Sequence, residues 1–231
     1  APHDYVLNHP HSLFAEAFRS IRTFLTLSPG KRPRAIAITS ALPREGKTTT
    51  SVCLARKTAA EGIRTVLVDA DLRRRGASEL LDYDSEFDIY DYLTGNAPLA
   101  KCLHKDEASG LDLLGSTAFQ EKTQVAITEE RVEKILDELR SLYDVVIIDT
   151  APILGVAESR IWAMASDRVL LISHWKKTSI RAVEAVVSML LDAGAKITGM
   201  AITQVDIRKF ASTGDGDVYA YTKKFRGYYT D

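Results

Sequence analysis

A lysine and a threonine stand side by side at Lys47 and Thr48, directly after Gly46 and at the start of a helix-like stretch. The segment 41–49 reads ALPREGKTT and follows the apolar run 35–39. A loop between a strand and a helix, with free N–H groups at the helix N-terminus, is typical of a phosphate-binding site. We expect Lys47 to contact the β- and γ-phosphates of ATP, Thr48 to bind Mg²⁺, and Gly46 to let the backbone approach the phosphates.

The predicted nucleotide-binding residues of this loop are Pro43, Arg44, Glu45, Gly46, Lys47, Thr48 and Thr49. The loop departs from the usual phosphate-loop pattern at its first position, where Ala41 replaces a glycine. The strand before it and the helix after it still supply the context that such a loop requires.

Carboxylates close two further apolar runs. Asp69 and Asp71 follow the run 65–68, and Asp149 follows the run 145–148. In P-loop enzymes an acidic residue at the end of a core strand lies near Mg²⁺. Because α/β sheets bind ligands at the carboxyl ends of their strands, we expect the three carboxylates to lie beside the phosphate loop.

Short apolar runs alternate with helical patterns along the chain, which predicts an α/β P-loop NTPase fold with a mostly parallel central sheet flanked by helices. The predicted strands are 35–39, 65–68, 111–114, 145–148, 168–173 and 197–203. The predicted helices are 12–27, 47–61, 128–142, 157–165 and 178–192. Residues 1–11 contain three histidines among Pro, Asn and Asp, and we predict an irregular arm there rather than a metal site.

The 231 residues suit one domain, with 45% hydrophobic residues for its core. We divide it into an N-terminal arm and helix (1–33), an ATP-binding core (34–207) and a tail (208–231). The net charge of −1 argues against nucleic acid as a partner. Two cysteines are too few for a disulfide framework, and no apolar run is long enough to span a membrane, so we expect a reducing cytoplasm.

The end of the chain is rich in tyrosine and poor in aliphatic residues, which predicts a flexible tail. Its tyrosines, Tyr219, Tyr221, Tyr228 and Tyr229, are either interface aromatics that pack elsewhere or candidate phosphoacceptors, and the absence of aliphatic neighbours favours the second. A tail of about twenty residues can extend roughly 65 Å, which is enough to reach the site of an adjacent subunit.

These motifs resemble those of the bacterial tyrosine kinases (BY-kinases) of capsule and exopolysaccharide export. Asp69-Ala-Asp71-Leu-Arg73 looks like their second Walker A′ motif, and the phosphate loop and terminal tyrosines are similar to theirs. Glu16, Arg19 and Arg22 match their oligomerisation signature, E-x-x-R-x-x-R.

The resemblance implies autophosphorylation of the tail in trans, with ATP (converted to ADP) and Mg²⁺, in a ring-like homo-oligomer of eight subunits. It also implies a membrane chain-length regulator, fused or separate, an opposing phosphotyrosine phosphatase, regulation of polysaccharide export, and a location at the inner face of the cell membrane. The chain begins with Ala1 rather than Met, which suggests a piece of something longer.

Two departures from the family pattern bear on the site. Arg44 stands where relatives usually carry glycine, and its side chain would either block the phosphates or reach them. The region 115–131 lacks the Pro-Asn-Pro-like stretch common in relatives, where substrate contacts are expected.

A tyrosine hydroxyl titrates near pH 10, so its phosphorylation benefits from a carboxylate that accepts the proton. We assign Asp71 and Asp149 to the metal shell, directly or through water, and Asp69 to the general base. Arg73 either orients the tail or the phosphates, or is a surface residue. Gln204, after the last predicted strand, either contacts the adenine or is structural.

Two other functions share parts of this pattern. Min/Par-type positioning ATPases have the same sheet and loop, but they carry a signature lysine at the position of Leu42. A nucleotide-binding assembly component of a polysaccharide exporter, without kinase activity, is compatible with Ala41 and Arg44. Phosphotyrosine on the purified protein separates the kinase from both.

Overall fold

The structure of the protein is a computed structural model that describes residues 1–27, 33–117, 126–206 and 209–210. The candidate phosphoacceptors and nearly all of the predicted tail lie outside the described residues. Part of the region 115–131, which lacks the family's Pro-Asn-Pro-like stretch, also lies outside them.

The described residues form a sheet of seven strands in the order β3-β4-β2-β5-β1-β6-β7. Its strands are β1 (Ala35–Ser40), β2 (Thr65–Asp69), β3 (Leu103–Asp106), β4 (Leu111–Leu114), β5 (Val145–Asp149), β6 (Arg168–His174) and β7 (Ile197–Thr203). All pairs are parallel except β3 with β4. The six predicted strands and the mostly parallel α/β fold are therefore confirmed.

Strand β3 was not predicted, because LHKD lacks a continuous apolar run. It pairs antiparallel with β4 at the edge of the sheet, where polar side chains are tolerated. The central strands β1, β2 and β5 are buried along their whole length, as expected for Val- and Ile-rich strands covered on both faces.

Helices cover both faces of the sheet. They are α1 (Pro2–Asn8), α2 (Leu13–Thr26), α3 (Lys47–Ala60), α4 (Gly76–Leu80), α5 (Ile89–Thr94), α6 (Glu129–Leu142), α7 (Glu158–Ala165) and α8 (Ile180–Asp192), with a 3₁₀ turn at Leu99–Lys101. On β1, Ile36 and Ile38 pack in the core that contains α2 and α3. Ala35 and Ala37 point to the opposite face and pack in cores that contain α6, α7 and α8. This alternation places the apolar residues of one strand in two separate layers.

The prediction of an irregular arm over residues 1–11 was wrong, because Pro2–Asn8 is helix α1. Pro2 opens the helix, where its fixed φ is favourable and its missing N–H is not needed. Val6 is fully buried in the core with α3, and Arg56 of α3 donates to His3 O (3.1 Å) and to Asp4 Oδ1 (3.0 Å). Tertiary contacts with α3 stabilise a helix that is too short to be stable alone.

Candidate active site

The phosphate loop connects β1 to α3, and its backbone has two residues in the left-handed region. Gly46, the residue before α3, has φ +87°, and Arg44 has φ +66°. A Cβ at Gly46 would lie 3.3 Å from Thr203 Oγ1, so a larger residue would crowd β7. Gly46 therefore supplies both the conformation and the space that the loop needs.

Side chains from other elements hold this loop. The Glu45 carboxylate accepts a hydrogen bond from Leu42 N (2.7 Å) and another from the Thr178 hydroxyl, which precedes α8. Thr203 Oγ1, at the end of β7, donates to Glu45 O (2.5 Å). These contacts attach the loop to β7 and to the residue before α8. Sequence reasoning did not find Thr178 or Thr203, because nothing in their local pattern marks them.

Lys47 lies between carboxylates in the buried floor of the site. Its Nζ is 2.9 Å from Asp71 Oδ2 and 3.7 Å from Asp149 Oδ1, and it donates to Thr48 Oγ1 at 3.2 Å. Burial alone would lower the pKa of Lys47, but the charges of Asp149 and Asp71 outweigh it and raise that pKa. Lys47 is therefore a fixed ammonium ion whose charge is already shared with two acids.

Asp69 and Asp149 occupy equivalent positions on neighbouring strands, because the register pairs them directly. Burial first, and the charge of Asp149 second, raise the pKa of Asp69 to about 7. Burial also raises the pKa of Asp149, although Lys47 acts in the opposite direction. Two carboxylates with raised pKa values in one cluster are typical of a functional site.

Hydrogen bonds satisfy only one oxygen of each of these two carboxylates. Asp69 Oδ2 accepts from Ser78 N (2.8 Å) and Ser78 Oγ (2.7 Å), and Asp149 Oδ1 accepts from Ser51 Oγ (3.0 Å). Asp69 Oδ1 and Asp149 Oδ2 are buried and accept no hydrogen bond within the described ranges. These unpaired carboxylate oxygens and the Thr48 hydroxyl are oxygen ligands of the kind that Mg²⁺ prefers, either directly or through its bound water.

A cavity of about 1160 Å³ opens over this cluster. The phosphate loop and Asp71 form one wall, and Thr203 and Gln204 form another. Phe14, Phe18 and other apolar residues of α2 also line it, which sequence analysis did not predict. The volume and the mixed polar and apolar walls suit a nucleotide.

Gln204 lines the cavity, and its Nε2 donates to Arg44 O (3.1 Å). The structure thus places Gln204 on the phosphate loop, in agreement with a structural role, while the adenine contact stays a prediction. Arg73 lies on the surface and is 3.9 Å from Glu158 Oε1. Asp69 and Asp149 are buried beneath the floor, whereas Asp71 lines the cavity itself.

The predicted oligomerisation residues lie on α2 and have partners within the chain. Arg19 contacts Glu16 Oε2 (2.5 Å) and Glu61 Oε1 (3.2 Å), and Arg22 contacts Glu61 Oε2 (2.5 Å). Lys57 adds a third cation to Glu61, at 3.3 Å. Burial would raise the pKa of Glu61, but Arg22, Arg19 and Lys57 together lower it. Their predicted role between subunits stays a prediction.

Three acids, a lysine and a threonine thus lie together at the N-terminus of α3, as the motif spacing predicted.

A preformed metal cage is a different arrangement. Across the described parts of the chain there is no compact group of three His, Cys, Asp or Glu side chains arranged around a metal position. Nor is any described helix long and apolar enough to cross a membrane.

Residues 34–198 match the sequence profile of a family described as an AAA domain. The tyrosine-protein kinase CpsD of Streptococcus agalactiae is 30% identical over 201 residues, which cover 87% of this chain and 87% of CpsD. The chain belongs to the bacterial tyrosine kinase family.

Two further relatives agree with this assignment. The succinoglycan biosynthesis transport protein ExoP of Rhizobium meliloti is 26% identical over 98% of this chain, which spans only 29% of ExoP. The kinase domain of the Escherichia coli tyrosine kinase ETK is 27% identical, with a TM-score of 0.73 over 83% of this chain and 77% of that domain. The family resemblance predicted from the motifs is confirmed.

Proposed function

We propose that this protein transfers the γ-phosphoryl group of MgATP to tyrosine hydroxyls, including those of its own C-terminal segment. The observation that carries the proposal is the Lys47 ammonium held between Asp71 and Asp149 at the base of a preformed phosphate loop. Membership of the tyrosine kinase family and the tyrosine-rich end of the chain support the choice of acceptor.

The chain's own residues divide the work of phosphoryl transfer. The N–H groups at the start of α3 and the Lys47 ammonium bind the phosphate chain and neutralise charge that develops on it. Thr48 and Asp149, with Asp71 directly or through water, would hold Mg²⁺, which would supply further positive charge to the phosphates. Ser51 and Lys47 hold the Asp149 carboxylate in position for this role.

We assign the acceptance of the tyrosine proton to Asp69. Its pKa of about 7 lies near the working pH, as expected of an efficient general base, and its Oδ1 accepts no hydrogen bond from the described residues. Because Asp69 is fully buried and Ser78 donates to its Oδ2, a tyrosine can reach it only if the residues that cover it move. Asp71, which already lines the cavity, is the alternative acceptor.

Mass spectrometry after incubation with ATP and Mg²⁺ tests the activity. We expect phosphate on the tail tyrosines of the wild type and none on Lys47→Met. An unmodified tail, in a protein that binds MgATP, would contradict kinase activity and favour an ATPase that serves assembly. The pH profiles of Asp69→Asn and Asp71→Asn identify the base, because the variant that lacks it loses the acidic limb of the rate profile.

We further propose that transfer occurs in trans within a ring of subunits and regulates exopolysaccharide or capsule export. The chain would act at the inner face of the cell membrane, with a membrane chain-length regulator and an opposing phosphatase as partners. The name of ExoP and the match of Glu16, Arg19 and Arg22 to the family signature support this.

A mixing experiment tests transfer in trans. Lys47→Met protein with an intact tail is incubated with active protein truncated after residue 207. Phosphate on the intact tail is expected, and its absence, while the full-length wild type labels itself, would indicate transfer within one chain. Because Arg19 and Arg22 also bind Glu61, the replacement Arg22→Ala must be checked for folding before its oligomeric state is interpreted.

A further inference from the structure

Arg44 has a backbone conformation that side chains rarely adopt. Its φ of +66° lies in the left-handed region, which glycine enters at no steric cost. Gln204 Nε2 donates to Arg44 O (3.1 Å), and Thr203 Oγ1 donates to the carbonyl of the next residue, Glu45 (2.5 Å). These contacts hold the carbonyls on either side of this strained backbone, and strain of this kind is typically found at functional sites.

The Arg44 side chain is exposed at the mouth of the cavity, where Arg74 also lies. Within the described ranges neither guanidinium has a carboxylate at ion-pair distance. The nearest acid in sequence, Glu45, instead accepts hydrogen bonds from Leu42 N and the Thr178 hydroxyl. The Arg44 charge is therefore available to a ligand.

The charge balance of the floor favours a second cation near the phosphates. Among the described residues, Lys47 is the one cationic side chain at ion-pair distance from Asp71 and Asp149. The Lys47 charge is therefore already shared with two carboxylates, which leaves a deficit of positive charge for a polyphosphate. A divalent cation compensates for part of this deficit, and a guanidinium at the mouth supplies more, with the planar donors that suit phosphate oxygens.

We propose that the Arg44 guanidinium binds the phosphate chain of the nucleotide, so that the side chain is a ligand group and not an obstruction. The inference rests on the proposed function only in taking MgATP as the ligand. It makes the phosphate loop a site with two cationic side chains, Lys47 in the floor and Arg44 at the mouth.

Titration of the full chain with MgATP and MgADP tests the role of Arg44. Arg44→Gly removes both the charge and the left-handed strain, whereas Arg44→Gln removes the charge and keeps the strain. Lys176→Gly is the matched control, because Lys176 is also an exposed cation with positive φ (56°) but lies outside the cavity. Its Nζ is 4.5 Å from the Trp175 ring centroid, a contact that the control also removes.

We expect both Arg44 variants to bind MgATP about tenfold more weakly or worse, Arg44→Lys to recover part of the loss, and Lys176→Gly to stay within about twofold of the wild type. The melting temperature of nucleotide-free Arg44→Gly should equal or exceed that of the wild type, because glycine relieves the strain. If Arg44→Gly melts no lower than the wild type, its weaker binding of MgATP does not come from a loss of folded protein.

Equal or tighter binding by Arg44→Gly would overturn the proposal, since the side chain would then be neutral or obstructive. An equal loss in Lys176→Gly would also overturn it, by showing a general effect of surface charge. A wild type that binds MgATP but forms no phosphotyrosine would contradict the proposed function and leave the role of Arg44 intact.

Discussion

Replacing Asp69 with asparagine should stabilise the protein at neutral pH while it removes the proposed base. In the folded state the pKa of Asp69 is raised from 3.8 to about 7, so the fold disfavours its charged form. A group of this kind contributes its full stability below the unfolded pKa and loses it as the pH rises to the folded value. The wild type therefore loses stability at Asp69 between about pH 4 and pH 7.

The size of the effect follows from the pKa difference. At about 1.4 kcal/mol for each pH unit, a rise of about three units corresponds to a cost on the order of 4 kcal/mol at pH 8. The asparagine avoids this cost and can still accept from Ser78, but Lys47 loses one attractive charge. We expect a net gain of about 1–3 kcal/mol in the free energy of unfolding at pH 8, and little gain at pH 4.

Urea unfolding of the wild type and Asp69→Asn from pH 4 to pH 8, without nucleotide or Mg²⁺, measures this difference. Asp137→Asn is the control, because Asp137 is a well-exposed carboxylate on α6 that pairs with Arg140. The difference in the free energy of unfolding between Asp137→Asn and the wild type should change little between pH 4 and pH 8. A difference between Asp69→Asn and the wild type that is constant with pH, or that favours the wild type at pH 8, would refute the reasoning.

Three more substitutions test contacts that the structure shows. Glu61→Ala removes the shared partner of Arg19, Arg22 and Lys57, and urea unfolding at low salt should show a free energy of unfolding lower by about 1–2 kcal/mol, with a smaller loss in 1 M NaCl. An equal loss at both salt concentrations would contradict an electrostatic origin. Val6→Ala deletes buried methyl groups between α1 and α3 and should cost about 2 kcal/mol by the same measurement, whereas no change would indicate that α1 is not docked in solution. Thr178→Val releases Glu45 and should weaken MgATP binding several-fold by calorimetry with little change in melting temperature; unchanged affinity would mean that the loop does not need this contact.

Sequence patterns predicted the sheet well because its central strands are continuous apolar runs buried on both faces. They failed for β3, whose LHKD sequence is polar, and for α1, which is stable only through its contacts with α3. Helices α4 and α5 were also missed, since five or six residues are too few to show a helical period.

The site residues likewise divide into those that the sequence pattern showed and those that it did not. Lys47, Thr48, Asp71 and Asp149 were found from motif spacing, and the structure brings them together at the carboxyl ends of neighbouring strands. Ser78, which holds Asp69, was not found, because a serine in a short loop helix has no distinguishing pattern. The tail tyrosines stay a prediction, since they lie outside the described residues.

The sequence by itself determined the alternation of strands and helices, the phosphate loop and the acids that follow β2 and β5. Each of these depends on residues that are contiguous in the chain, so local propensity and burial period are enough to show them. The order of the strands, which makes Asp69 and Asp149 neighbours, is a property of the assembled sheet.

Only the tertiary structure decided how the loop is held and what surrounds it. Glu45 is held by Thr178 and Thr203, which lie 133 and 158 positions further along the chain, and the wall formed by α2 comes from a helix before β1. The charge state of Asp69 likewise depends on complete burial beside Asp149. Distance in space, burial and charge coupling arise when the layers pack together, and no local pattern encodes them.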